Sequence, residues 1–170
     1  MKRIHFMVLA VAAALGYALP AVCQQPLPEV IVTAANYKYL KNVGGKEVAI
    51  PAQRLERAAA AYDIKSSEFY EEDYETYFIS FSLPEGEILA AYDKNGKLLR
   101  TAEKYKDLVL PATVSKAIVT RFPNWGISKD VYLVKYFDNN GGSAVKKYKV
   151  VLQNGTKRLR VQVDEQGQFS

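Results

Sequence analysis

The residues best suited to chemistry in this chain are carboxylates, which crowd into the stretch SEFYEEDYE at residues 67–75. Its acidic side chains are Glu68, Glu71, Glu72, Asp73 and Glu75. Clustered oxygens are the ligands that calcium takes, and paired carboxylates can share acid and base roles in hydrolysis. The stretch lacks the Asp/Asn-Gly spacing of a calcium loop, however, so a solvated hairpin is the interpretation that the pattern favours.

Histidine and cysteine occur once each, as His5 and Cys23, and both lie within residues 1–23. This segment has a basic start, a short apolar core and small residues near its end, which is typical of a cleavable signal peptide. Its apolar core is shorter than the ~20 residues that a membrane-spanning helix needs. A retained membrane anchor and a lipid on Cys23 are the alternatives.

Cleavage between Cys23 and Gln24 would remove both residues and export the chain to the periplasm or the medium. The remaining chain could form no Ser-His-Asp or Cys-His catalytic site, no usual zinc site and no disulfide. We therefore expect a protein that is not an enzyme, with no catalytic residues, no cofactor and no metal. An enzyme that uses carboxylates and tyrosines alone is the alternative.

Charge is distributed unevenly along the chain. Residues 24–93 hold 6 basic and 12 acidic residues, a net charge of −6, whereas residues 94–170 hold 15 and 6, a net charge of +9. One interpretation of this pattern is chance variation of charge on solvated faces. The others are attraction between the two halves of one chain, head-to-tail association of two chains, or binding of an acidic partner by the C-terminal half. We expect a monomer or weak self-association, with no transmembrane segment after cleavage.

A basic face is predicted in the second half of the chain. The segment RLRVQV at residues 158–163 alternates charged or polar residues with apolar ones, which is the period of a half-buried strand. One interpretation is a basic surface that binds an acidic protein, an anionic glycan or lipid headgroups. The other is a solvated sheet face that is kept charged for solubility. Nucleic acid is not expected for an exported protein. The residues predicted on this face are Lys135, Lys147, Lys149, Arg158 and Arg160.

Trp125 is the single tryptophan and follows a predicted helix end in the segment FPNWGI. A tryptophan on a loop can anchor a binding partner. It can also close the end of a core between a helix and a sheet, which is the interpretation we favour.

Two similar turns suggest that the chain repeats one unit. The segments YDKNGKLL and VDEQGQFS share an Asp-x-x-Gly spacing, typical of a β-turn, at Asp93–Gly96 and Asp164–Gly167. At this offset of 71 residues the apolar alternation upstream also matches. Two further segments, at residues 50–63 and 110–123, align with each other, and each predicts a helix opened by proline.

These matches predict an α+β fold of two tandem units, each a helix packed on a four-stranded antiparallel meander. The units would span residues 48–107 and 108–170, after an N-terminal segment at residues 24–47. In that segment VIVTA, residues 30–34, is either an edge strand or part of a flexible leader. The predicted strands are residues 65–71, 74–83, 87–92, 97–105, 127–138, 145–153, 158–164 and a stub at 168–170.

Four features follow one another in the C-terminal part of the chain: Leu110-Pro111, Phe122-Pro123, Tyr148 and Asp164-x-x-Gly167. In their order and spacing this part resembles the PepSY-like family of exported bacterial proteins, described as β-lactamase-inhibitor-like. The match covers about residues 108–170. The first copy, at about residues 48–105, departs from it at Tyr62-Asp63, where the pattern has an aromatic residue and proline.

The resemblance implies a tandem helix-plus-four-strand fold, similar to β-lactamase inhibitor proteins and to PepSY domains of peptidase propeptides. It also implies a non-catalytic envelope protein. We therefore expect a periplasmic or secreted binding module that acts on a protein or a cell-envelope component. An inhibitor or regulator of an envelope peptidase or hydrolase is the alternative that the resemblance adds, although no inhibitory loop residue can be placed here by motif.

Overall fold

The computed structural model describes residues 36–139 and 141–170. In this part of the chain six strands form one antiparallel sheet, and each strand pairs with the next one along the chain. The strands are β1 (Thr76–Leu83), β2 (Gly86–Asp93), β3 (Leu98–Lys106), β4 (Gly126–Phe137), β5 (Ser143–Asn154) and β6 (Lys157–Asp164). The helices are α1 (Tyr37–Val43), α2 (Ile50–Ala61) and α3 (Ala112–Arg121).

The prediction of two tandem helix-plus-four-strand units is wrong, because all six strands belong to a single sheet. Strand β3 pairs with β4 from Arg100↔Phe137 to Lys106↔Val131, which joins the two halves of the chain. Two separate sheets would expose four edges, whereas one continuous sheet exposes two. Unpaired edges leave backbone N–H and C=O groups without partners, so the joined sheet is the better solution.

Residues 65–71, predicted as a strand, form turns instead. The Asp63 carboxylate accepts a hydrogen bond from the Lys65 N–H at 3.0 Å, and Ser67 Oγ donates to the Ile64 carbonyl at 2.7 Å. Such local side-chain bonds compete with a strand ladder for the backbone. The stub predicted at residues 168–170 is a single bridge between Val163 and Phe169.

The two Asp-x-x-Gly turns share one geometry. In each, the Asp carboxylate accepts hydrogen bonds from the N–H groups two and four residues later, at 2.8–3.0 Å. Gly96 and Gly167 have φ angles of 82° and 83°, a region that side chains disfavour. The similarity between the two halves of the sequence is therefore a similarity of local structure, without a second sheet.

The helices contribute to one core on one face of the sheet. Buried residues alternate along the strands, as in Tyr132, Val134 and Tyr136 of β4, and they form one cluster with buried residues of all three helices. Helix α2 has Pro51 in its first turn and Pro111 directly precedes α3, both compatible with a helix start. None of the helices in residues 36–139 and 141–170 is long and apolar enough to cross a membrane.

The N-terminal segment at residues 24–47 is described only in part. Its last residues form α1, which packs Tyr39 and Val43 into the core. The proposed edge strand at residues 30–34 lies outside the described residues, as do Cys23 and Gln24 of the predicted cleavage site.

Candidate functional site

One face of the sheet has no helix over it within the described residues, and we call it the open face. Cross-strand register defines its members, since residues paired directly across neighbouring strands point to the same side. Its basic members are Arg100, Lys104, Lys106, Lys129, Lys135, Lys147, Lys149, Arg158 and Arg160. Its larger apolar members are Phe78, Leu89, Val131, Leu133, Phe137, Val145 and Val151.

All of the basic residues predicted from the sequence lie on the open face and are exposed. Lys147 and Lys149 flank the buried Tyr148 on β5, and Arg158 and Arg160 follow on β6. The structure therefore brings the predicted residues of β4, β5 and β6 together, as their alternation indicated.

Sequence reasoning missed the basic residues that β3 adds to the same face. Arg100, Lys104 and Lys106 are exposed, while Thr101 and Glu103 between them are buried. This alternation was visible in the sequence. The sequence pattern places β3 in the first unit and β4 to β6 in the second, so it does not predict that their basic residues share one face.

Basic and apolar side chains form repeating rows across the open face. Lys104 pairs with Leu133, and Leu133 pairs with Lys147, so a leucine separates two lysines on successive strands. Val131 separates Lys106 from Lys149 in the same way in the next row. Each row thus presents an apolar contact between two positive charges.

The charges of the open face are not used in ion pairs within the described part of the chain. The salt bridges there are Lys38–Asp138, Lys97–Asp138, Lys94–Glu75 and Lys146–Glu165, and none involves the open face. The acidic residues Glu87 and Asp164 also lie on this face, opposite Lys104 and Lys147, but the basic residues outnumber them and create a positive potential over the face. The Arg100 guanidinium carbon lies 5.6 Å from the centre of the Phe78 ring, a distance at which a cation–π interaction forms.

Shallow depressions lie between these side chains. One of about 400 Å³ is lined by Lys129, Val151, Arg158 and Arg160, among others. Another, of about 280 Å³, lies against the exposed rings of Phe78 and Phe137 and includes Lys135. Both could receive side chains from a partner.

Trp125 does not stand free on its loop. It is half-buried and packs against the core cluster, directly before β4 begins at Gly126. The structure therefore supports its role in closing the end of the core.

The acidic run at residues 67–75 forms turns and a loop before β1, and its carboxylates are exposed. Glu75 lies 2.8 Å from Lys94 in a surface ion pair. In the described ranges no group of three or more His, Cys, Asp or Glu residues could hold a metal ion.

Two carboxylates in the core were not anticipated from the sequence. Glu103 accepts hydrogen bonds from the hydroxyls of Tyr39 and Thr101 at 2.7 Å and of Tyr105 at 2.8 Å. Glu56 Oε1 is buried and has no hydrogen-bond partner among the described residues. Glu103 lies two residues from the buried Thr101 and Tyr105 on β3, with exposed residues between them, so its burial could have been read from the strand period.

Burial, and then the charge of Glu103, raise the pKa of Glu56 to about 8. Burial also raises the pKa of Glu103, while its three hydroxyl donors lower it. Since hydrogen bonds to a carboxylate favour its charged form, we place the charge on Glu103 and the proton on Glu56 at neutral pH. Glu56 and Glu103 are only 1% and 3% exposed, so we expect the pair to affect stability.

No protein-family model matches this chain, and neither a curated protein nor a solved structure matches it. The resemblance to the PepSY-like family therefore remains a prediction from the residues that carry it. The open face is the feature of the structure from which a function can be inferred.

Proposed function

We propose that this protein is a non-catalytic binding module that holds an acidic, partly apolar protein surface on its open face. The observation that carries the proposal is the pair of rows in which Leu133 and Val131 each separate two lysines. We further propose that it acts after export, in the periplasm or the medium, as the pattern of residues 1–23 predicts.

The spacing of the charges favours a polypeptide as the partner. Lys147 and Lys149 are two residues apart on β5, which places them about 7 Å from one another along the strand. Carboxylates two residues apart on an extended segment have the same spacing, so both can meet a lysine at once. Lipid headgroups and glycans have no such repeat fixed by a peptide backbone.

The apolar members of the face favour a partner with apolar side chains as well. Leu89 is 50% exposed and Phe137 is 42% exposed, so a partner that covers them removes apolar surface from water. That burial contributes roughly 25 cal/mol per Å². Affinity would come from these contacts, whereas the lysines would supply orientation and a fast, salt-sensitive encounter.

The test reverses charge at the centre of the open face with the triple variant Lys135→Glu, Lys147→Glu and Lys149→Glu. Its matched control is Lys41→Glu, Lys46→Glu and Lys116→Glu, which changes the net charge equally at exposed positions outside the open face. The probe is the acidic copolymer poly(Glu,Tyr), with binding measured by calorimetry at low and high salt. Circular dichroism checks that each variant is folded.

We expect the wild type and the control to bind the copolymer, and the open-face variant to bind it about tenfold more weakly or worse. Binding should weaken as salt rises, because screening shortens the reach of exposed charges. Equal weakening in the control would overturn the role of the open face. Binding to phosphatidylglycerol vesicles or heparin, but not to the copolymer, would overturn the assignment of an acidic protein.

A further inference from the structure

Strand β1 forms one edge of the sheet and lacks the usual protections of an edge strand. Its sequence, TYFISFSL, contains no charged residue and no proline, and its register with β2 runs without a bulge. No described residue pairs with its outer side. Lysines, prolines and bulges are what ordinarily prevent another strand from pairing at such an edge.

A groove of about 580 Å³ runs along this free edge. One wall is β1 itself at residues 76–80, and the other is the preceding loop with Glu68, Phe69 and Tyr74. The loop is tied to the strand, since the Tyr77 hydroxyl donates to the Glu71 carbonyl. The groove therefore combines an unpaired backbone edge with apolar rings and negative charge, which suits an extended basic segment.

The same chain carries such a segment at its opposite edge. Strand β6 begins KRLRV, in which Arg158 and Arg160 alternate with Leu159 and Val161, and Lys157 adds a third positive charge. The outer edge of β6 has a partner only near the end of the strand, where the Ser170 N–H donates to the Gln162 carbonyl at 3.1 Å. Residues 157–161 have no outer partner among the described residues, and this stretch equals residues 76–80 in length.

The even number of strands makes these two edges geometrically compatible. Neighbouring strands alternate in direction, so β1 and β6 of the six-stranded sheet are antiparallel to one another. A second copy placed head to tail would add its β6 antiparallel to β1, with the helices of both copies on the same side. In the register that sets residues 157–161 opposite residues 77–81, the half-buried Leu159 and Val161 of one copy would then face Ile79 and Tyr77 of the other, on the helix side of both sheets.

We infer that copies of this chain associate head to tail, with residues 157–161 of one copy pairing along the β1 groove of the next. The opposite charges of the two edges select this pairing over β1 with β1. Because each addition leaves one free edge of each type, the association is open-ended and yields species larger than dimers. The inference rests on the sheet edges and not on the function proposed for the open face, although Arg158 and Arg160 belong to both surfaces.

The experiment is sedimentation velocity on the full chain over a concentration series at low and high salt. We expect the average mass to rise with concentration at low salt and to fall toward that of one chain at high salt. Two variants reverse one edge each: Glu68→Lys with Glu71→Lys in the groove, and Arg158→Glu with Arg160→Glu on β6. Each alone should associate about tenfold more weakly, because two edges of like charge meet.

Mixing the two variants is the decisive arm, since each then meets an edge of opposite charge and association should return. A third variant, Ser80→Lys, adds a lysine to β1 and should also give single chains. Association that survives reversal of β6, or no recovery on mixing, would overturn the head-to-tail pairing. A wild type that stays a single chain until residues 30–34 are deleted would assign the groove to that segment and overturn the inference.

Discussion

Glu56 and Glu103 share the core, where burial and then the charge of Glu103 raise the pKa of Glu56, so that one carboxylate and one protonated carboxyl group are present at neutral pH. Three hydroxyls bind Glu103, whereas Glu56 Oε1 lacks a partner in the described part of the chain. This unequal division of partners makes the stability of the protein depend on pH near neutrality.

The first prediction concerns that pH dependence. The folded pKa of Glu56, about 8, lies above its ordinary value of 4.5, so the folded state binds the proton more tightly. The stabilising effect is complete below pH 4.5 and is lost as the pH rises to about 8. Stability should fall by at most about 1.4 kcal/mol per pH unit over this window.

The variant Glu56→Gln should flatten this dependence, because an amide has no proton to lose. We expect it to be more stable than the wild type at pH 9, as measured by urea unfolding between pH 5 and pH 9. The exposed Glu72→Gln is the matched control and should follow the wild type. Parallel pH curves for Glu56→Gln and the wild type would contradict the prediction.

The second prediction concerns Asn36, whose buried side chain connects separate parts of the fold. Its amide donates to the carbonyls of Ala60 and Gly96 at 3.2 Å, and its oxygen accepts from the Leu98 N–H at 2.8 Å. Asn36→Ala would leave these buried groups without partners, at a cost of about 2–4 kcal/mol.

Thermal unfolding of Asn36→Ala measures that cost, and Asn42→Ala is the control. Asn42 makes one bond within its own helix, to the Lys38 carbonyl at 2.9 Å. A loss of stability no larger than that of the control would show that water replaces Asn36 without penalty.

The third prediction compares the two equivalent turns. Gly96 and Gly167 share a positive φ angle, so alanine at either position should cost roughly 1 kcal/mol. A methyl group at Gly167 would also lie 3.0 Å from the Ala117 Cβ, whereas at Gly96 the nearest atom, of Ile64, is 3.8 Å away. Gly167→Ala should therefore be the more destabilising substitution by urea unfolding, and equal losses would contradict this.

The sequence predicts local structure well where hydrophobic periodicity is strong. The alternation in RLRVQV predicted a strand at residues 158–164, and β6 spans Lys157–Asp164. The proline-led segments likewise predicted α2 and α3 near their observed starts. These features depend on neighbours in the chain, so the pattern of residue types is enough to reveal them.

The pairing of β3 with β4 could not be read from the pattern. Both strands have one apolar and one polar face, which fits one sheet of six strands as well as two smaller sheets. The repeated turns at Asp93 and Asp164 favoured two units. Their similarity is real, but it is confined to the turns and does not determine which strands pair. The basic residues of β3 were missed for the same reason, and the open face was predicted only in part.

Glu56 shows a different limit. Leu55 and Ala59 of α2 are buried, but a glutamate beside such residues is ordinarily placed in solvent. Burial, and then the charge of Glu103, explain why Glu56 keeps its proton inside the core.

The meander order of the sheet also has a consequence for how the chain folds. Since every strand pairs with its neighbour in sequence, sheet contacts close short loops, and the β3–β4 connection that contains α3 is the longest. Low sequence separation between contacts favours rapid folding. We expect β4 and β5, joined by the most extended register, to form early and to exchange their amide hydrogens most slowly, while the edge strands β1 and β6 exchange first among the strands.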